Sequence, residues 1–316
     1  MGELKNVFSW SFSAGDDFDQ CRRRHYWKKY GSWGGWNKSA SEDTKKAYML
    51  KNMQNRWSLM GHAAEMSIMW MLKEHQKNNN VNSDDAWNQK ARPFLTQRWN
   101  ESTNGLWKQN PKKFCLLSEH YYDKQVDEKK VKQAIAQQIK NCIKQFEETI
   151  LPRLSDIEIN QEVKIITADM PGDVEHFTFE GVKIYAIPDY AYRIGDQIHI
   201  HDWKAGKIKI EQHRLQLSLY ALWAVVKYQV KLENIFLYIE YLNEAKVFPF
   251  QINENDLENV KERVGESIGE MTEYLIEYDR EENNPLPIEE WEITSDRSNC
   301  FFCNFKELCK TEFSDN

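Results

Sequence analysis

The chain of 316 residues lacks a long apolar run, an excess of positive charge and a leader-like start. A membrane helix needs about 20 consecutive apolar residues, and no stretch approaches that length, so no membrane partner is expected. The first residues, Met-Gly-Glu-Leu-Lys-Asn, lack a signal-peptide pattern, which predicts an intracellular, cytoplasmic protein. The net charge of −7 argues against a general nucleic-acid coat, which would be basic. What is present, 41% hydrophobic residues, is enough for a real core.

The most informative pattern is that of two half-buried strands around a short turn, in residues 181–204. Apolar and polar residues alternate on both sides of Gly195-Asp196, a pair suited to a two-residue hairpin turn. Around that turn, opposed residues have numbers that sum to 391, which places Asp189 directly across from Asp202. Opposed side chains lie about 5 Å apart, and two carboxylates at that separation repel unless a cation lies between them.

A lysine joins these two carboxylates. Asp202 and Lys204 are two residues apart on one strand and therefore share a face. Hard divalent ions such as Mg²⁺ or Mn²⁺ prefer carboxylate oxygens, and a lysine can orient a water or neutralise charge on a phosphate. The alternative interpretation is an ordinary surface salt bridge on an exposed strand. The opposition of Asp189 favours a metal site.

Helices are expected on both sides of this hairpin. The apolar periodicity predicts helices at about 16–30, 42–76, 83–101, 124–150, 211–229 and 254–278, and Pro152 is expected to end the fourth. It predicts strands at 156–168, which contains Glu162, and at 234–242 and 245–251. The segment from 30 to 150 is interpreted as a helical cap or insertion against the later sheet.

Two helical pairs carry polar side chains one turn apart. His62 and Glu65 lie three residues apart in the second predicted helix, and Gln216 and Tyr220 lie four apart in the fifth. Taken singly, each pair is also compatible with an ordinary core or surface role.

The first predicted helix interleaves basic and aromatic residues. Arg22, Arg23 and Arg24 are followed by His25, Tyr26 and Trp27. This mixture suits phosphate contacts and base stacking. The alternative is a solvated cationic face whose aromatic rings pack inward.

Three of the six cysteines form a compact group near the C-terminus. Cys300, Cys303 and Cys309 follow a Cys-x2-Cys-x5-Cys pattern, and a metal site normally requires four ligands. Cys21 is a candidate fourth ligand, whereas Cys115 and Cys142 have no evident partner. Four sulfur ligands suit either structural zinc or a [4Fe–4S] cluster, and the spacing alone does not choose between them.

In order and spacing, these features resemble the RecB-like nucleases of the PD-(D/E)XK superfamily. The similarity is greatest to the iron–sulfur branch, which includes the CRISPR-associated RecB-like exonucleases, the AddB nuclease domain and exonuclease V. The (D/E)-x-K element corresponds to Asp202-Trp203-Lys204, and the Gly-x-x-Asp element to Ala186-Ile-Pro-Asp189, with alanine at the usual glycine. The other corresponding residues are Gln216 and Tyr220, the early-helix His62, the first-strand Glu162, and the cluster cysteines Cys21, Cys300, Cys303 and Cys309.

The resemblance implies an α/β fold with a restriction-endonuclease-like core, a central mixed sheet flanked by helices. It implies a single nuclease domain over 1–316. Its parts would be an N-terminal segment with the first cluster cysteine, a helical region, the PD-(D/E)XK core and a C-terminal iron–sulfur segment (1–30, 31–152, 153–280 and 281–316).

The implied activity is that of a Mg²⁺- or Mn²⁺-dependent deoxyribonuclease, an exonuclease acting on single-stranded DNA or DNA ends in recombination, repair, or phage or defence processing. The metal ligands would be His62, Asp189, Asp202 and the backbone carbonyl of Trp203, with Glu162 as a supporting or second-metal ligand. Lys204 would position the attacking water, and Gln216 and Tyr220 would hold the site and the DNA backbone.

The resemblance also implies a structural [4Fe–4S] cluster, with zinc as the alternative, and a DNA channel lined by Arg22, Arg23 and Arg24. No G-x-x-x-x-G-K-[ST] segment is present, so unwinding would need a separate helicase or recombination partner. Two rival classes stay open. One is a non-catalytic nucleic-acid-binding or scaffold protein that retains the fold, and the other is a zinc-stapled or RNA-directed nuclease.

Overall fold

A mixed five-stranded sheet with helices on both faces is the centre of the structure, a computed structural model that describes residues 4–122, 127–160, 163–165 and 175–313. Within those residues the strands are β1 (Ser9–Ser11), β2 (Met53–Gln54), β3 (Leu116–Leu117), β4 (Val163–Ile165), β5 (His176–Phe179), β6 (Val182–Tyr185), β7 (Tyr190–Ile194), β8 (Gln197–Lys204), β9 (Ile235–Tyr241) and β10 (Lys246–Phe250).

The helices of the same described ranges precede, separate and follow these strands. They are α1 (Phe12–Gln20), α2 (Arg22–Tyr26), α3 (Glu42–Lys51), α4 (Arg56–Gln76), α5 (Ser83–Ala86), α6 (Arg92–Thr103), α7 (Ser118–Tyr121), α8 (Glu128–Gln145), α9 (Leu151–Asn160), α10 (Ile210–Tyr228), α11 (Glu254–Glu273) and α12 (Ser298–Phe301). Single π-helical turns extend α2, α5 and α8, at Trp27–Gly31, Trp87–Ala91 and Phe146–Ile150.

The central sheet runs in the order β10-β9-β8-β7-β4. Only the β8–β9 pair among these strands is parallel, and α10 makes the crossover between them. A smaller sheet, β1-β6-β5, attaches the N-terminal strand to the core. This arrangement confirms the predicted α/β core of a central mixed sheet flanked by helices, with helical segments before it.

The predicted hairpin is confirmed in both position and register. Ile194 lies opposite Gln197 and Tyr190 lies opposite His201, so paired residue numbers sum to 391. Gly195 occupies the turn with a φ of +55°, a left-handed conformation that glycine adopts without a steric penalty. The strands predicted at 234–242 and 245–251 and the helices predicted at 211–229 and 83–101 are also present, as β9, β10, α10 and α5–α6.

Two of the predicted helices are each broken in two. The helix expected at 16–30 begins earlier, at Phe12, because the Ser11 side chain caps it, and it is interrupted at Cys21, whose backbone is extended. The helix expected at 42–76 divides into α3 and α4. There Met53–Gln54 pairs in parallel with Leu116–Leu117, and Asn55 caps the second helix. The last predicted helix, expected to reach residue 278, ends at Glu273.

The predicted stop at Pro152 and the predicted strand start at 156 are wrong. The chain passes from α8 through a π-helical turn into α9, which continues to Asn160. Pro152 lies in the first turn of α9, where its missing N–H costs little. Leu151 and Leu154, three residues apart, are both buried, so a helical period overrides the alternation that follows. The strand is confined to Val163–Ile165, and Glu162 lies outside the described residues.

Each face of the central sheet has its own apolar cluster. Ile198 and Ile200 of β8 pack toward α10 and α11, whereas Trp203 packs with α4 and α8 on the opposite face. A third cluster joins Trp27 and Leu50 to Phe305 and Cys309 of the C-terminal segment. No helix in the described part of the chain has the length and apolar character that a membrane crossing requires.

Candidate active site

Asp189 and Asp202 meet at the open end of the β7–β8 hairpin. Asp202 lies near the end of β8 and is 2% exposed, and Asp189 directly precedes β7. The Asp189 Oδ2 atom accepts a hydrogen bond of 2.6 Å from the backbone N–H of Trp203. Burial raises the pKa of Asp189 well above its ordinary value, and the neighbouring charge of Asp202 raises it further. The hairpin therefore brings together two carboxylates that repel each other, with Asp202 buried and Asp189 half-buried.

Lys204 is the cation that the fold supplies to this pair. Its Nζ lies 2.5 Å from Oδ2 of Asp202 and donates a 3.2 Å hydrogen bond to Oε1 of Gln216. The side chain is 22% exposed, so its ammonium group retains access to solvent. Asp202 Oδ2 is nevertheless buried without a well-oriented hydrogen bond from any described residue, so one ammonium does not complete its coordination.

Helix α10 supplies a polar pair to the same place. The Gln216 Nε2 group donates to the Tyr220 hydroxyl at 2.8 Å, and that oxygen lies 3.1 Å from the Ile187 carbonyl and 3.4 Å from Oδ1 of Asp202. A hydroxyl has one hydrogen, so Tyr220 donates to one of these two acceptors at a time. Burial, then Asp202 and Asp189, raise the pKa of Tyr220 well above its ordinary value, so this phenol stays protonated.

Helix α4 approaches the hairpin with Glu65, a residue that the sequence analysis noted beside His62 but did not assign to the site. Glu65 contributes to the raised pKa of Asp189, so its carboxylate lies within electrostatic range of that residue. His62 is exposed, and its ring packs edge-on against Phe94 with centroids 5.2 Å apart. Over the described ranges, no three His, Cys, Asp or Glu side chains are spaced to hold a metal ion. The role of His62 as a ligand with Asp189 and Asp202 stays a prediction.

A second residue missed at the sequence level is His213, one turn before Gln216 on α10. Burial lowers its pKa, Lys204 lowers it further, and Asp202 acts in the opposite direction. Its Nδ1 atom lies 2.7 Å from the Tyr241 hydroxyl, at the end of β9. The only available sequence signal was its position three residues before Gln216.

The three arginines predicted to contact DNA make internal contacts. Arg22 pairs with Glu270 at 2.7 Å, and Arg24 pairs with Asp17 at 2.6 Å. Arg23 is buried and donates from Nε to the Trp291 carbonyl. These groups join α2 to α1, to α11 and to the segment after it, and their predicted role in DNA binding stays a prediction.

The cysteines predicted to hold a cluster lie where N- and C-terminal segments meet. Burial raises the pKa of the Cys303 thiol, and the nearby Cys21 and Cys300 raise it further, while Arg24 lowers it. Cys309 is buried in the apolar cluster that also contacts Cys303. Cys21 and Cys303, from opposite ends of the chain, thus lie within electrostatic range of each other. Cys115 and Cys142 are buried elsewhere, each with its pKa raised to about 12 by burial.

The fold and the site together indicate the class of protein to which the chain belongs. The central hairpin of a mixed sheet presents two aspartates and a lysine, and the crossover helix places a glutamine–tyrosine pair beside them. A sequence profile of the PD-(D/E)XK nuclease superfamily matches residues 109–310, more than half of the chain. The chain therefore belongs to the PD-(D/E)XK nuclease superfamily, whose members are typically metal-dependent nucleases. The matched range contains the hairpin, α10 and the three C-terminal cysteines. No match is found among curated proteins.

The carboxylate pair fits the divalent metal that this superfamily typically uses. Asp189 and Asp202 offer oxygen donors only, which suits a hard cation such as Mg²⁺ or Mn²⁺. A carboxylate site that binds a divalent cation is expected to show a raised pKa, as Asp189 does, and a carboxylate oxygen with few donors, such as Oδ2 of Asp202.

Proposed function

We propose that the chain is a Mg²⁺- or Mn²⁺-dependent DNA nuclease of the RecB-like iron–sulfur branch, an exonuclease acting on single-stranded DNA or DNA ends. The observation that carries this proposal is the convergence of a buried carboxylate, a half-buried carboxylate and one lysine at the end of the hairpin. A scaffold protein that only retained the fold would have no need for that arrangement, because its mutual repulsion opposes folding.

In this proposal each residue of the site has a separate task. Asp189 and Asp202 would hold the cation, with the predicted ligands His62 and the Trp203 carbonyl, and Glu162 as a supporting carboxylate. The cation would act as a Lewis acid toward the scissile phosphate. Lys204 would orient the attacking water or offset the negative charge that develops on the phosphate.

Gln216 and Tyr220 would act as positioning residues. Because the Gln216 amide accepts from Lys204 and donates to Tyr220, it fixes the lysine relative to Asp202. Tyr220 is 3% exposed, which favours a task inside the site over an extended DNA contact. Because the chain contains no P-loop, we propose that a separate helicase or recombination protein supplies it with unwound strands. The pathway would be repair, recombination or defence.

The direct test is degradation of end-labelled single-stranded DNA with Mg²⁺ or Mn²⁺, using the wild type and Lys204→Ala. We expect a rate loss of about 100-fold or more in the variant. Lys261→Ala is the matched control, because Lys261 lies on α11 in a surface pair with Glu258. Equal activity in all three proteins would contradict the proposed site. A wild type inert on linear and circular DNA and on RNA would favour the binding or scaffold class.

The proposed cluster is supported by a separate observation: Cys303 packs against the apolar cluster that contains Cys309 and Trp27, within electrostatic range of Cys21 and Cys300. Cys21, Cys300, Cys303 and Cys309 would ligate [4Fe–4S] and staple the N-terminal helices to the C-terminal segment. Iron, acid-labile sulfide and zinc would be measured in the anaerobically purified protein and in Cys303→Ser, with Cys115→Ser as the control. Iron and sulfide lost only in Cys303→Ser would support the cluster, whereas zinc alone would replace it with the zinc staple.

A further inference from the structure

A second site lies outside the hairpin, in a cleft of about 760 Å³ between the loop after α2 and the turn before β3. We name it the Trp36–Trp107 cleft, after an aromatic residue on each wall. Lys38, Lys45 and Lys108 also line it. We propose that this cleft binds single-stranded nucleic acid, by stacking unpaired bases on its aromatic walls and by neutralising phosphates with its lysines.

The aromatic walls are built in two separate layers. Trp36 packs edge-on against Tyr48 of α3, with ring centroids 5.7 Å apart, and remains 43% exposed. On the other wall, Trp107 packs edge-on against Tyr121 at 6.0 Å. Trp36 is thus exposed and Trp107 half-buried, and each of the two rings is held by a second aromatic ring. A stacking platform needs this combination of an accessible ring and a fixed orientation.

Gly35 explains how Trp36 reaches this position. A Cβ atom at residue 35 would lie 2.3 Å from Cβ of Tyr48 and 2.6 Å from the carbonyl oxygen of Thr44. Only glycine lets the loop pass this close to α3, and the close passage sets Trp36 beside Tyr48. The sequence Gly34-Gly35-Trp36 is therefore tied to one wall of the cleft.

The charge of the cleft is opposite to that of the molecule. Four lysines line it against one acidic residue, Glu42, in a chain with a net charge of −7. Lys45 is paired with Glu42 at 2.9 Å. Lys38 and Lys108 are exposed and form no ion pair with any described residue. Because the protein as a whole is acidic, its overall charge does not account for a local excess of unpaired lysines. In nucleic acids, phosphate anions occur together with planar bases that can stack on aromatic rings.

The fourth lysine connects the cleft to the cysteine segment. Lys46 pairs at 2.7 Å with Glu307, which lies between Cys303 and Cys309 and also accepts from the Tyr121 hydroxyl at 3.3 Å. One carboxylate thus joins both walls to the C-terminal segment. The shape of the cleft consequently depends on how that segment is held.

The chemistry favours single strands over duplexes and over acidic peptides. In a duplex the base faces are already stacked, so the two tryptophans would contribute nothing. An acidic peptide would use the lysines but would leave the aromatic walls without planar partners. The volume falls within the roughly 300–1,000 Å³ of ligand-sized sites, which suits a short piece of strand.

The inference deepens the nuclease proposal, since a strand held here would be anchored away from the carboxylate pair. Binding can nevertheless be measured without cleavage. Fluorescence anisotropy of a labelled oligothymidylate would be recorded in EDTA for the wild type and for Lys38→Glu/Lys108→Glu. The control with the same charge change is Lys231→Glu/Lys246→Glu, because those lysines are also exposed. We expect about tenfold or greater weakening in the cleft variant and less than about twofold in the control.

Trp36→Ala separates stacking from charge. We expect it to weaken binding by about fivefold or more even at high salt, where the lysine contribution is screened. Equal affinity of the cleft variant and the control would overturn the inference. So would equally tight binding of a duplex, or full competition by polyglutamate of the same charge. A wild type that binds through the cleft but does not cleave would contradict only the nuclease proposal, and normal cleavage with unchanged binding in the cleft variants would contradict only this inference.

Discussion

Glu240 and Asp202 are two buried carboxylates on neighbouring strands whose surroundings differ in the number of donors. Glu240 is fully buried and receives hydrogen bonds from His201 at 3.1 Å, Trp203 Nε1 at 2.6 Å and Arg153 at 3.0 Å. Burial alone would raise its pKa, but His201, Arg153 and Trp203 together lower the pKa below its ordinary value. The donors around Glu240 thus stabilise its negative charge without help from a ligand.

Asp202 and Asp189 lie on the other face of the same sheet, where fewer donors surround them. Among the described residues, the only ion pair with these aspartates is that of Lys204 with Asp202, and the pKa of Asp189 is raised. A buried carboxylate with a full set of hydrogen-bond donors contributes to stability. A pair of carboxylates with too few donors can instead bind a ligand that supplies the remaining positive charge. The comparison supports our proposal that the hairpin, and not the Glu240 network, is the active site.

The largest effect is expected from Asp189→Asn. The amide oxygen can still accept from the Trp203 N–H, but the negative charge is lost. Nuclease activity should fall by about 100-fold or more. The free energy of unfolding measured in EDTA should be unchanged or higher, because the repulsion with Asp202 disappears. If the variant retained activity, or if it unfolded in EDTA, the proposed difference between the hairpin carboxylates and Glu240 would be contradicted.

Glu240→Gln should show the reverse behaviour. Removing the charge leaves three donors around a neutral amide that can satisfy only some of them. We expect the free energy of unfolding to fall by about 3 kcal/mol, as measured by urea denaturation. The activity per folded molecule should stay within about twofold of the wild type. If activity instead fell as far as in Asp189→Asn, the Glu240 network would belong to the active site.

The hairpin and its register were predictable because both depend on local chemistry, a glycine-containing turn and a period of two residues. His213 was not predictable, and Glu65 was noted only as a helical neighbour of His62, since the relevance of both residues depends on how α10 and α4 approach the hairpin. The arginines at 22–24 show the same limit. Their charge is visible in the chain, but their partners Asp17 and Glu270 are distant or on another helix. Pro152 was misjudged because a π-helical turn places it at the start of a new helix, not inside an old one.

A test by pH uses His199, which lies on the Glu240 side of β8. Burial, then the neighbouring His201, lowers its pKa from 6.5 to about 4, and neither ring nitrogen has a hydrogen-bond partner among the described residues. The unfolded chain therefore binds more protons between these values, so stability is lost as pH falls from about 6.5 toward 4.

His199→Phe should remove that loss, because the ring stacks between Tyr192 and Phe236 at 4.9 and 4.8 Å and uses no polar contact. The gain at low pH should be at most about 2 kcal/mol after allowance for solvent screening. His25, with a pKa also lowered to about 4, is present in both proteins and cancels in the difference. Parallel pH dependence of the two denaturation midpoints would refute this assignment.

Tyr220→Phe should have the smallest effect on the contrast between the hairpin carboxylates and Glu240. It removes the hydroxyl that accepts from Gln216 and lies near Ile187 and Asp202, at a cost of about 1 kcal/mol in unfolding free energy. Because Gln216 then loses one anchor of its contact with Lys204, activity should fall by about tenfold. A kinetic assay beside Tyr228→Phe, on the same helix but outside the site, would check that the loss is specific.

The most direct measurement is calorimetric titration of Mn²⁺ into the wild type, Asp189→Asn and Glu240→Gln in the absence of DNA. Our account predicts Mn²⁺ binding by the wild type and by Glu240→Gln, and loss or at least about tenfold weakening in Asp189→Asn. Equal Mn²⁺ binding by all three proteins would contradict the assignment of the hairpin carboxylates as the metal site.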